Sequence, residues 1–163
     1  MYKRQVLLRV EGGKAQAGGF LSRLAADKPV GLVWDSTLSK VSAFSGGDWA
    51  EAARAWSLGD GAITVREAGL TAGEAALNVR SGALAAGGDG RLRGNLAVEL
   101  RGAQAALAAL AETGLVTRDA AEAAAVVAAA RQGSGASADV DLVFQAGRVT
   151  LGPVALGPAP KIF

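Results

Sequence analysis

Carboxylates and small hydroxyls are the residues best placed to do chemistry in this chain of 163, because it has neither histidine nor cysteine. Lack of histidine removes the commonest general base and metal ligand; lack of cysteine removes thiolate nucleophiles, thiolate metal sites and any disulfide scaffold. Asp139 and Asp141 stand two apart, so on a strand they share one face, where paired carboxylates could serve acid–base work. Such a pair more often forms a solvated face. Thr37 and Lys40 give only a T-x-x-K spacing for a hydroxyl–lysine dyad, and no G-x-S-x-G elbow occurs. Residues 133–138, GSGASA, fit the GxGxxA variant of the dinucleotide fingerprint, but a helical pattern precedes them and a strand follows. That order is the reverse of the one that sets a pyrophosphate on a helix N-terminus, and a linker is the better reading. Residues 87–92, GGDGRL, open like a calcium-binding nonapeptide, yet Leu92 stands where the repeat needs Asp, and no second copy follows. A hairpin turn accounts for them. No residue is assigned to catalysis, a cofactor or a metal, and the chain is read as not an enzyme.

The elements that would position any site alternate between two periods. A β-like run covers residues 6–10, and Phe20, Leu21, Leu24 and Ala25 fall at helical spacing within 19–27. Residues 30–44, with Val33, Trp34, Val41 and Phe44, look extended. Asp48 and Glu51 form a capping box that opens a helix over about 49–57, with Trp49, Ala52, Ala53 and Trp56 on one face and Gly59 at its end. Over 62–101 the period falls to two, in half-buried strands with breaks at Gly69, Gly73, Gly82 and the 87–90 cluster. Helices return over 103–113, with Ala103, Ala106, Leu107 and Leu110 on one stripe, and from Thr117 and Asp119 to about 132. Two further strands follow, over 139–145 and 148–151, and then a proline-rich tail that must be an edge segment or a polyproline-like cover. The pattern predicts an α+β fold: a curved antiparallel meander with a helical hairpin inserted before the last strands.

Composition sets the bounds. Half of the residues are apolar and a fifth charged, which favours folding, but aromatics make up only 5%, so the core must be built from small side chains. Residues 1–5, MYKRQ, read as a sequencing-adapter scar, with the chain's own sequence starting near Val6 as a single β-rich domain, the C-terminal part of a longer protein. Setting Lys3 and Arg4 aside leaves 15 of the 17 basic side chains against 15 acidic ones, a balance of zero. Neutral charge with dispersed arginines argues against nucleic acid as a partner. The longest apolar run, 123–130, falls far short of the roughly 20 residues that span a bilayer.

On the strands, Trp34, Leu77, Val79, Leu96, Val98, Leu142 and Phe144 form the candidate lining of an apolar groove. An antiparallel sheet with one apolar face can hold acyl chains if that face stays open, or can close it with its own helices. Trp34, Trp49 and Trp56 could line such a groove, although aromatics at helical spacing more often belong to the core.

Two stretches carry a family resemblance: the Gly-Leu steps and alternating strands of 68–99, with Asp89-Gly90-Arg91-Leu92-Arg93-Gly94, and the closing LGPVALGPAP of 151–160. Together they resemble the C-terminal half of the uncharacterised alphaproteobacterial family numbered 2125 among domains of unknown function, and the strand pattern is similar to that of AsmA-like envelope proteins. The last hundred or so residues carry this resemblance. It implies a Gram-negative periplasmic protein held to the inner membrane by an N-terminal helix, handling phospholipid along an apolar sheet face, with no catalytic residues and no cofactor. Other envelope proteins are the alternative partners, for a structural or interaction domain whose core is closed and whose proline-rich edge at 151–160 makes the contact.

Overall fold

The computed structural model describes residues 3–14, 20–26, 28–44, 47–132 and 134–163. They form one antiparallel sheet whose spatial order follows the chain. The strands are β1 (Lys3–Gly13), β2 (Val30–Ser39), β3 (Ala62–Ala72), β4 (Ala75–Ala86), β5 (Leu92–Arg101), β6 (Ser137–Gln145), β7 (Arg148–Leu151) and β8 (Val154–Pro158). Helix α1 (Phe20–Ala25) lies between β1 and β2, and α2 (Trp49–Leu58) between β2 and β3. The hairpin α3 (Ala103–Glu112) and α4 (Arg118–Gln132) is inserted between β5 and β6. The meander and the inserted hairpin are the α+β architecture that the periodicity predicts.

Register lines up most of the large apolar residues of the central strands on one face. Leu77 pairs with Leu70 on one side and Leu100 on the other, Val98 stands between Val79 and Val140, and Leu96 faces Leu142. Because side chains alternate with period two, these pairings bring the seven predicted groove residues to the same inner face. Register shifts at Asp35/Ser36 and Val79/Ser81 insert bulges, which bend a sheet and raise its twist. Trp34 of β2 and Phe144 of β6, four strands apart, pack against the same buried cluster, so the sheet curls around its inner face.

Several boundaries differ from the sequence expectation. β1 runs beyond residues 6–10 in both directions, and Lys3, Arg4 and Gln5 pair with Ser39, Leu38 and Thr37; Met1 and Tyr2 lie outside the described residues. The extended reading of 30–44 holds only to Ser39. Lys40 then takes a left-handed conformation (φ 56°), and Val41–Ala43 is a 3₁₀ turn. Gly69 and Gly82 do not break strands. Gly82 sits inside β4 opposite Val65, where a Cβ would come within 2.4 Å of the Asn95 carbonyl oxygen, so glycine is needed for close approach between neighbouring strands. Gly73 is a true turn residue (φ 61°) between β3 and β4. Part of the proline-rich tail is strand β8, the last of the sheet, paired with β7. Beyond it, Leu92 N–H donates to the Pro160 carbonyl and Ile162 N–H to that of Gly90.

Helix α2 starts at the Asp48 cap expected, with the return bond from Glu51 made to the residue before the cap. Glu51 N–H donates to Asp48 Oδ1 at 2.9 Å, and Glu51 Oε2 accepts from Gly47 N–H at 2.9 Å. Ala53 and Trp56 are buried, whereas Trp49 is 63% exposed, so the helix commits only part of the expected stripe. Trp56 donates its indole N–H to the Ser39 carbonyl and stacks on Phe44, tying α2 to the end of β2. Ala120 N–H donates to Thr117 Oγ1 at the start of α4. Ala124 and Ala128 of α4 are fully buried, and small side chains there let the helix lie close to the sheet and to α3.

Candidate functional site

Between the inner sheet face and the helices lies an apolar cavity of about 230 Å³. Its floor is Leu70, Leu77, Leu100 and Leu142; α1 contributes Phe20 and Leu24; α3 contributes Ala106, Leu107 and Leu110; and Leu151 and Leu156 close it from β7 and β8. The helical side chains arrive through ordinary spacing: Phe20 and Leu24 are one turn apart, as are Leu107 and Leu110. Almost nothing polar lines the space, so it offers dispersion contact and dry volume and no group to do chemistry.

Of the seven predicted groove residues, only Leu77 and Leu142 reach this cavity. Val79, Leu96 and Val98 are buried in the main core, a cluster that also takes in Ala128 of α4. Trp34 and Phe144 pack against that cluster from its edges. Trp34 also donates its indole N–H to Ser36 Oγ at 2.8 Å, satisfying a fully buried hydroxyl. The predicted groove is therefore filled by core packing along its middle, and the space that remains is the cavity between the sheet and the helices α1 and α3. Neither Trp49 nor Trp56 lines the cavity. The residues that sequence reasoning did not assign to the site, Phe20, Leu24, Leu107 and Leu110, had been visible only as helical stripes; no local signal says that α1 and α3 converge over β3 and β4.

The polar candidates lie elsewhere. Asp139 is on the outer face, 3.2 Å from Arg80, which also holds Glu99 at 3.1 Å, while Asp141 joins no ion pair among the described residues. Ser137 Oγ donates to Glu99 Oε1 at 2.7 Å, and that bond, with Arg80 behind it, holds the Glu99 carboxyl below its usual range. Asp35 is lowered likewise, by Arg66 first and then by a bond from Gln5. These are ion-pair ladders across a solvated face. Thr37 faces outward in β2 and Lys40 ends the strand, so they form no dyad. In the 87–92 segment Gly87 N–H donates to the Arg91 carbonyl, Gly90 N–H to that of Gly87, and Asp89 Oδ1 accepts from Arg91 N–H. Those bonds make it the hairpin turn expected, with its carboxylate engaged. Gly133 of the glycine-rich segment lies outside the described residues. Among the described residues no group of three metal-ligating side chains occurs, and no helix is long and apolar enough to cross a membrane.

Over residues 2–160 the chain matches the model of a family described as an uncharacterized protein conserved in bacteria, DUF2125. It belongs to that family. The match takes in the front of the chain, where the motifs are sparse, as well as the strands and closing segment that carry the resemblance. No curated protein and no solved structure matches it.

Proposed function

We propose that this family member is a non-catalytic binding domain that holds one alkyl chain in the cavity beneath α1 and α3, with envelope phospholipid as the source of that chain. The observation that carries the reading is a wall formed by leucine, alanine and phenylalanine around about 230 Å³. That volume exceeds the ~150 Å³ at which an apolar cavity admits benzene and falls below the ~300–1,000 Å³ of sites that enclose drug-sized molecules. It suits a single chain and excludes a whole two-chain lipid. Each methylene buried there contributes about 0.8 kcal/mol. The resemblance to AsmA-like proteins supports a periplasmic location and an inner-membrane anchor.

Calorimetric titration of the full chain with octanol tests this, together with native mass spectrometry for co-purifying lipid. One octanol should bind per chain, and Ala106→Trp, which fills the cavity, should abolish binding while the fold persists. A folded chain that neither binds octanol nor carries lipid would overturn the reading. A second reading, a protein-interaction domain, is favoured by β1, where Val6, Leu7, Leu8 and Val10 are 39–66% exposed on an edge strand that can accept a strand from a partner.

A further inference from the structure

We infer that the ligand is a single-chain anion whose head group is held by Arg91, Arg93 and Arg148, an assignment that rests on reading the cavity as an alkyl site. These arginines line an open hollow beside β8, with Thr117 and the backbone of Gly147 and Gly157. Leu156 lines both the hollow and the apolar cavity, so one residue of an edge strand separates the two. Adjacent strands are only about 4.8 Å apart, which lets a single molecule have its chain on one side of Leu156 and its head on the other.

Several cations elsewhere sit against a carboxylate, whereas this hollow gathers three arginines. On the sheet's outer face Arg66 is matched by Asp35, and Arg80 by Glu99 and Asp139; on other surfaces Arg23 pairs with Glu112 and Lys28 with Glu74. Here three guanidinium groups face one carboxylate, Asp89, which is 3.9 Å from Arg93 and already accepts from Arg91 N–H. Arg148 takes part in no ion pair among the described residues. Arg91 is oriented by donating Nη1–H to the Ala159 carbonyl at 2.7 Å, which leaves its other donors for a ligand. Gly147 is left-handed (φ 75°), and a Cβ there would press on Arg91 Cδ at 3.3 Å, so glycine leaves that guanidinium room. Planar arginine forks suit the paired oxygens of a carboxylate or a phosphate monoester.

Octanoate, octyl phosphate, octanol and inorganic phosphate, titrated separately into the full chain, test this. Both alkyl anions should bind at least about tenfold more tightly than octanol. That preference should shrink in high salt, because the arginines are solvated. Arg148→Glu and Arg93→Glu should each erase it, with octanol affinity and melting temperature unchanged. Octyl phosphate binding alone would assign the head group to phosphate, and octanoate alone to carboxylate. Equal affinity for all three octyl ligands would overturn the head-group site while leaving the alkyl site standing. Inorganic phosphate binding as tightly as octyl phosphate would also overturn it, by separating hollow from cavity. If no octyl ligand binds the folded chain, the alkyl site fails and the head-group site with it.

Discussion

Strands β5 and β1 carry nearly the same pattern and meet opposite fates. In β5 the inward residues Leu96, Val98 and Leu100 are buried; in β1 the inward residues Val6, Leu8 and Val10 are 42%, 49% and 39% exposed. Both strands are antiparallel and alternate correctly, β1 up to the register shift after Val10. What differs is what lies above them. β5 is flanked by β4 and β6, and its inner face is buried, whereas β1 is an edge strand, and the six-residue α1 packs toward Val30, Ala72 and the cavity rather than over β1. Alternation therefore decides which face a residue joins, and tertiary cover decides whether joining it yields any hydrophobic stabilisation.

Truncation should separate the two strands most clearly. Leu96→Ala leaves a cavity in packed surroundings and should cost about 2–5 kcal/mol. Leu8→Ala, with the same atoms removed from a solvated site, should stay within about 0.5 kcal/mol. Urea unfolding of both variants checks this, and comparable losses would mean that β1 is covered in solution.

The same distinction explains how far the sequence could be read. The strand and helix periods, the Asp48–Glu51 cap and the 87–90 turn depend on residues close together in the chain, and each leaves a local signature. Gly69 and Gly82 misled because glycine also occurs within strands, at Gly82 where the backbone of β5 comes close, and only the neighbouring strand shows this. For the site, Leu77 and Leu142 were legible as inward residues, but Val79 and Val98, equally inward, are packed into the main core and do not reach the cavity. Where a helix lands on a sheet depends on its whole packing surface, and here that surface is mostly alanine, which specifies contact only weakly.

Adding volume should distinguish the closed and open stretches of the inner face, with effects of opposite sign. Ala124 is fully buried where α4 meets α3, so Ala124→Leu should overpack the contact and cost about 1–3 kcal/mol. Ala106 faces the cavity, and Ala106→Leu should instead add about 0.5–2 kcal/mol by filling it, while weakening octanol binding. Thermal melts with and without octanol measure both. Destabilisation by Ala106→Leu would show that the walls leave no room for the added side chain.

The smallest effect bears on whether the bare and covered halves unfold together. Asp35 lies in β2 beside the bare edge and Glu99 on the outer face of β5, a strand whose inner face is buried, and both carboxyls are held below their ordinary values, Asp35 chiefly by Arg66 and Glu99 chiefly by Ser137. For a carboxyl whose pKa is depressed by folding, the stabilisation is present above the unfolded value, about 4, and is lost as pH falls through the lower folded value. Stability should therefore be flat on the neutral side of that range and decline below it, with Ser137→Ala and Arg66→Ala each shortening the decline. The two residues should part company in urea below the global midpoint. If the edge opens first, Asp35 returns to its ordinary titration while Glu99 stays depressed, which residue-resolved NMR titration detects. If both return together, β1 and β2 belong to the same cooperative unit as the covered half, despite the exposure of β1.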